Sequence, residues 1–129
     1  HRGTLTSQGA IKQANRRNEL LLREAEITGS LAQMMGLSID LAPLHDAWEN
    51  LLLLQFHDIL PGSSISQVYR EAAVDHGRIA ETARGLRDRA LQGMAQHMSI
   101  PGDIVAWNGL SWPRRDVARA RCIYSVRKG

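Results

Sequence analysis

The feature that most constrains the fold is a long apolar stripe in the second half of the chain. Its side chains recur every three or four residues, a spacing that places them on one face of an α-helix. The members are Val68, Ala72, His76, Ile79, Ala83, Leu86, Ala90, Met94 and Met98. Before it, Ser64–Gln67 fits a capping box that would begin the helix. An unbroken helix of about 35 residues would be about 52 Å long, so other elements must cover its apolar face.

Two earlier segments can provide that cover. Over residues 6–35 apolar side chains again recur near helical spacing, and Gly29 or Gly36 could break this first helix. Pro43 suits the first turn of a second helix, because its missing N–H would have no partner there. The apolar stripe of that helix is Leu44, Trp48, Leu51 and Leu52. Pro61-Gly62 ends the helix or the few residues that trail from it.

The residue pattern changes from helical to β-type at Pro101. A short β-type run precedes the turn signal Asn108-Gly109, and residues 117–126 alternate imperfectly between apolar and polar side chains. Because a lone hairpin is marginally stable, we expect these two strands to belong to a larger sheet. The predicted fold class is mainly α, an antiparallel three-helix bundle over residues 1–100 with a short β segment at the C-terminus, in residues 101–129.

Composition excludes several function classes. Sixteen basic and 13 acidic residues give a net charge of +3, and acidic residues interleave with the arginine clusters, so we expect no nucleic-acid partner. Cys122 is the one cysteine, which excludes an internal disulfide framework. No apolar run approaches the roughly 20 residues of a membrane helix. The chain opens at His1 instead of Met, so we expect it to be a piece of something longer.

The segment least explained by packing is residues 55–64, with the sequence QFHDILPGSS. It places the imidazole of His57 beside the carboxylate of Asp58 where a helix gives way to a Pro-Gly turn. Functional groups tend to lie on such loops, and neutral imidazole suits zinc. Two alternatives stay open from the residues alone: a metal or catalytic role, or a structural role in which His57 interacts with the helix end and Asp58 supports the turn.

The remaining histidines are weaker candidates. His45 and Asp46 repeat the dipeptide within the first turn of a helix, where the pair is interpreted as structural. His76 falls on the apolar stripe and should be a core or rim residue, while His97 should lie on the surface near a helix end and His1 is terminal.

Three segments together resemble the middle portion of glycoside hydrolase family 38, the zinc-dependent α-mannosidases. They are residues 1–8 (HRGTLTSQ), residues 55–64 and residues 108–114 (NGLSWPR), and their order and separation resemble that family. The resemblance implies a helical middle domain that follows an α/β catalytic domain and precedes β-sandwich domains. Phe56 stands where Golgi and lysosomal relatives usually have His, which points to the bacterial or cytosolic-type branch and a cytoplasmic location.

The resemblance also implies roles for particular residues. By it, His57 is a zinc ligand and Asp58 a contact to the mannoside, while the nucleophile, the acid catalyst and the other zinc ligands lie upstream of His1. We therefore expect no catalytic residue in this chain, and weak zinc binding or none when it is alone. Residues 1–4 receive no role.

Two further expectations accompany this reading. The alternative function is a stand-alone helical protein-interaction module whose long third helix presents a groove and whose His57-Asp58 pair only shapes a turn. Because exposed apolar patches promote association, we expect dimers or larger assemblies with exchanged or paired strands near Val117–Val126.

Overall fold

Three α-helices form the framework of the protein in a computed structural model that describes residues 3–99 and 104–117. They are α1 (Gly9–Met34), α2 (Ala42–Leu54) and α3 (Ser66–His97). The contacts between α1 and α3 are the most extensive, and α2 packs against both. The prediction of a mainly α, three-helix fold is confirmed.

The helices run up, down and up. The side chain of Gln55, just after α2, bonds to Asn15 near the start of α1, so α2 runs antiparallel to α1. Asn18 bonds to His76, and farther along both helices Gly29 packs against Leu86, so α1 and α3 run in the same direction. Each helix is therefore antiparallel to the next one in sequence.

Gly29 does not break the first helix, although the sequence left that open; α1 continues through it to Met34. A methyl group on Gly29 would lie 2.6 Å from Leu41 Cδ2 and 3.0 Å from Leu86 Cδ2. The glycine is therefore the point where other elements approach the α1 backbone closely. The helix ends just before Gly36, whose φ of 84° is the left-handed conformation that glycine adopts without strain.

The core confirms most of the predicted stripe on α3. The buried residues of that helix are Tyr69, Ala72, His76, Ile79, Ala80, Ala83, Leu86, Ala90 and Met94. The stripe predicted for α2 is partly wrong, because Leu52 is 61% exposed while Ala47 and Leu54 are buried with Leu44 and Leu51. Four consecutive leucines fit more than one helical phase, so packing against α1 and α3 decides which of them turn inward.

The capping box predicted at Ser64–Gln67 is not formed. Helix α3 begins at Ser66, and its N-cap, Ile65, makes no side-chain capping bond. The backbone N–H of Ser64 donates instead to the hydroxyl of Tyr69, at 2.7 Å. This bond links the residues just before α3 to a side chain in the first turn of that helix.

The predicted C-terminal β segment is not seen among residues 104–117, none of which lies in a strand. Asn108 does form a turn there, accepting from the Leu110 N–H at 3.3 Å and donating to the Trp112 carbonyl at 2.8 Å. The rest of the predicted β segment, residues 101–103 and 118–129, lies outside the described residues. That part includes Cys122 and most of the residues expected to take part in self-association. Among the helices that the structure describes, none is both long and apolar enough to cross a membrane.

Candidate functional site

The His57-Asp58 pair lies on an exposed turn between the end of α2 and the start of α3. The amides of Ile59 and Leu60 both donate to the Phe56 carbonyl, at 2.9 and 3.1 Å, and Gly62 N–H donates to the Ile59 carbonyl at 3.2 Å. These bonds wind the chain into successive tight turns after α2. Both side chains therefore project from a short, folded connection between two helices.

Both functional groups of the pair face solvent. The side chain of His57 is 76% exposed and that of Asp58 is 61% exposed, and His57 Nε2 lies 3.4 Å from Asp58 Oδ2. That separation exceeds a normal hydrogen bond, so the two side chains restrain each other only weakly. The ring of Phe56 lies beside the imidazole, with centroids 4.2 Å apart and planes tilted by 42°. An imidazole and a carboxylate are thus presented together and accessible.

The backbone of this turn is fastened to α3 by a buried tyrosine. Tyr69 is 8% exposed, and its hydroxyl accepts from the Ser64 N–H at 2.7 Å and donates to the Asp58 carbonyl at 3.3 Å. One side chain therefore bridges the Asp58 backbone and the end of the loop that carries it.

A second attachment comes from the N-terminal end of the bundle. Lys12 Nζ donates to the carbonyls of Pro61, at 3.2 Å, and Ser7. The Ser7 hydroxyl donates to the Gly62 carbonyl at 3.2 Å. Gly62 has a φ of 94°, and a methyl group there would lie 2.5 Å from Ser7 Oγ. The turn that precedes α1 and the Pro61-Gly62 turn are consequently packed face to face.

A third attachment lies where α2 ends. Gln55 Nε2 donates to Asn15 Oδ1 at 3.2 Å and to Glu19 Oε1 at 3.0 Å. Asn15 Nδ2 in turn donates to the same Glu19 oxygen at 3.0 Å. This small polar network fixes the end of α2 against α1, one residue before Phe56.

The other histidines lie away from this turn. His45 Nε2 pairs with Glu49 at 3.2 Å, and both side chains are well exposed. The first turn of α2 holds no acidic residue, so the predicted place of Asp46 in that turn is wrong: the helix begins at Ala42. His76 is buried in the core against Asn18, confirming its predicted place on the apolar face. His97 is exposed near the end of α3, also as predicted. Among the described histidines, His57 alone stands beside a carboxylate on a turn between helices.

These residues can supply only part of a zinc site. A zinc ion takes three or four protein ligands at structural or catalytic sites. Within residues 3–99 and 104–117 no group of three or more His, Cys, Asp or Glu side chains is placed to hold a metal. His57, with an exposed ring, fits as a single ligand, and Asp58 adds an adjacent carboxylate; a complete site needs ligands from beyond this part of the chain.

Sequence comparison identifies the domain. Residues 1–94 match the family model of the alpha-mannosidase middle domain. The chain belongs to that family. It is 32% identical over 127 residues to an alpha-mannosidase of Saccharomyces cerevisiae, covering 95% of this chain and 11% of that protein. It is 33% identical over 119 residues to alpha-mannosidase 2C1 of Homo sapiens, covering 91% of this chain and 11% of that protein.

A third relative gives a shorter match. Alpha-mannosidase G of Dictyostelium discoideum is 38% identical over 79 residues, covering 61% of this chain and 7% of that protein. The chain therefore spans about a tenth of the length of the curated relatives that it matches most fully.

The structure brings together two of the three segments that carry the family resemblance. Ser7, from the first, contacts Gly62, from the second. The third, residues 108–114, lies elsewhere and lines a cavity of about 240 Å³ with Leu20, Arg23, Glu24 and Ile27 of α1. In this alpha-mannosidase middle domain, the first segment thus supports the turn that carries His57 and Asp58.

Sequence reasoning missed the residues that hold this turn. Lys12 resembles an ordinary surface cation, and Tyr69 is an aromatic residue near the start of α3 whose ring predicts packing and nothing more. The one available signal was Pro61-Gly62, because a glycine after proline indicates a turn that can approach other backbone closely.

Proposed function

We propose that this chain is the middle domain of a zinc-dependent, retaining α-mannosidase of glycoside hydrolase family 38, in which His57 is a zinc ligand and Asp58 contacts the mannoside. The family match over residues 1–94 carries the proposal. The exposed turn supports it, because both side chains are accessible to a metal and a sugar held by a neighbouring domain.

The resemblance to the family implies a division of labour between this domain and the catalytic domain. A retaining glycosidase needs two carboxyl groups about 5–5.5 Å apart across the scissile bond, one as nucleophile and one as acid. We assign neither role to Asp58 and expect both groups in the catalytic domain of the whole enzyme. Zinc, when bound, supplies a positive charge that orients and polarises sugar hydroxyls.

Each side chain of the pair then has a distinct task. His57 offers a ring nitrogen to the metal, and Nε2, 3.4 Å from Asp58 Oδ2, makes no close hydrogen bond to that carboxylate. Asp58 offers carboxylate oxygens that accept hydrogen bonds from sugar hydroxyls. The exposed Phe56 ring lies against the imidazole.

The proposal can be tested with the second His-Asp dipeptide of the chain, His45-Asp46, as the control. In the full-length protein, His57→Ala should abolish hydrolysis of an aryl α-mannoside, and Asp58→Asn should raise KM. His45→Ala and Asp46→Asn remove the same groups from α2, away from the turn, and should leave both parameters unchanged. Wild-type kinetics in both His57→Ala and Asp58→Asn would refute the proposal and favour the alternative of a helical interaction module.

Two finer assignments are also part of the proposal. Phe56, which replaces the His usual in Golgi and lysosomal relatives, supports the bacterial or cytosolic-type branch and a cytoplasmic enzyme. Some arginines in the described region pair with carboxylates, such as Arg16 with Glu19 and Arg87 with Glu24 and Asp88, which supports a protein with no nucleic-acid partner.

A further inference from the structure

We propose that Tyr69 and Lys12 are positioning residues that fix the orientation of His57 and Asp58. This inference rests on the proposed function of that pair and adds the two side chains that hold it in place. They come from different helices, α3 and α1, and bond to backbone carbonyls on either side of the turn.

The orientation of the pair depends on the backbone, because the side chains have little else to hold them. Both are more than half exposed, their mutual contact is 3.4 Å, and the neighbouring Phe56 ring is itself 52% exposed. A metal ligand must be held close to its productive geometry, and residues that bond to the ligand or to its backbone commonly supply that constraint. Here the constraint must come through the main chain.

Tyr69 restrains the Asp58 backbone directly. Its ring is buried, and its hydroxyl joins the Asp58 carbonyl to the Ser64 N–H. Removing the hydroxyl alone would leave the ring packing intact but remove the bonds to the Asp58 carbonyl and the Ser64 N–H. The contribution of this side chain to the site is therefore separable from its contribution to the core.

Lys12 restrains the other side of the loop. Its ammonium donates to the Pro61 carbonyl and to the Ser7 carbonyl, so that one charge bridges the turn preceding α1 and the turn following Asp58. A neutral side chain of similar length would retain the packing of the aliphatic stem and lose both bonds. Arginine keeps the charge and can restore part of the contact.

The experiment compares Tyr69→Phe, Lys12→Met and Lys12→Arg in the full-length protein. Zinc affinity is measured by competition with a chelator, and KM and kcat for an aryl α-mannoside are measured at saturating zinc. We expect Tyr69→Phe and Lys12→Met to weaken zinc binding about 10–100-fold and to raise KM more than they lower kcat. Lys12→Arg should lie closer to wild type, and hydrogen exchange in residues 57–66 should quicken in the two disruptive variants.

The outcomes separate this inference from the function on which it rests. If His57→Ala loses zinc while Tyr69→Phe and Lys12→Met keep wild-type zinc affinity and KM, the positioning role is wrong and the ligand role stands. If exchange quickens without any change in zinc affinity or KM, the two residues only stabilise the loop, which also overturns the inference. Full zinc binding in His57→Ala would contradict the proposed function itself.

Discussion

The side-chain amide of Asn18 donates to both the ring Nδ1 and the backbone carbonyl of His76, at 3.2 and 2.9 Å, joining α1 to α3 inside the core. The carbonyl bond fixes the amide nitrogen toward His76, so Nδ1 must accept and cannot carry a proton. The neutral ring then has its hydrogen on Nε2, which is buried without a partner among the described residues. Protonation at Nδ1 would place two donors against each other.

This arrangement predicts that acid destabilises the domain. Burial lowers the pKa of His76 below its ordinary value of 6.5, although the charge of Asp75 opposes the shift. Between the folded and unfolded pKa values the unfolded chain binds more protons, so the free energy of unfolding rises with pH. The contribution of the neutral His76 to the free energy of unfolding should therefore be fully present above pH 6.5 and decline as the pH falls below it.

Urea unfolding of the chain at a series of pH values tests this expectation. His76→Gln should flatten the dependence near pH 6.5, while His97→Gln, which changes an exposed histidine, should preserve it. An unchanged slope in His76→Gln would show that other groups cause the acid sensitivity. Asn18→Ala should cost about 1–3 kcal/mol at neutral pH, because it leaves a buried carbonyl and a buried ring nitrogen without their donor.

Gly29 should resist substitution although it lies inside a helix. Alanine gains about 1 kcal/mol of helix propensity over glycine, but its methyl group would overlap Leu41 and Leu86 in the core. Overpacking typically costs about 1–3 kcal/mol, so we expect Gly29→Ala to be destabilising overall.

The matched control is Gly77→Ala, in α3, where a methyl group meets nothing within 4 Å. That variant should gain up to about 1 kcal/mol. The two free energies of unfolding, measured in urea, should have opposite signs. Equal stabilisation by both changes would mean that Leu41 and Leu86 move aside without cost.

Gly62 should be more sensitive than Gly36, although both have positive φ, 94° and 84°. Alanine is strained at either position, by about 1–2 kcal/mol. At Gly62 the methyl group would also lie 2.8 Å from Ser7 Cβ, whereas at Gly36 it meets open space. Gly62→Ala should therefore lower the unfolding free energy further than Gly36→Ala. Equal losses would indicate that the turn preceding α1 does not press on Gly62.

Much of the bundle could be predicted from the sequence, because periodicity determines which face of a long helix is buried. It correctly placed Ala72, Ile79, Ala83 and Leu86 in the core. It failed at Leu52, where a run of identical apolar residues has no unique phase. Periodicity also could not show that Asn18, a polar residue of α1, pairs with His76 across 58 residues of sequence.

Some residues of the candidate site could likewise be predicted from the sequence, and others could not. Residues of unusual chemistry, His57 and Asp58, can be recognised from the sequence because packing does not explain them. Lys12 and Tyr69 cannot, since their role depends on two turns meeting at distances that only the folded chain sets. Side chains that bond to backbone carbonyls leave no pattern in the sequence.

The chain alone should not hydrolyse an aryl α-mannoside at any zinc concentration. We assign neither nucleophile nor acid catalyst to it, and the described part holds no cluster of three metal-binding side chains. The assay compares the purified chain with the full-length protein at equal molarity. Turnover by the chain that disappears on changing one of its own carboxylates would contradict this division of labour.

The most direct measurement is the zinc content of the full-length protein after dialysis against limiting zinc, determined by elemental analysis. We expect one zinc per chain in the wild-type protein and in His45→Ala, and substantially less than one in His57→Ala, with all three equally helical by circular dichroism. A full equivalent of zinc retained by His57→Ala would contradict the assignment of His57 as a ligand.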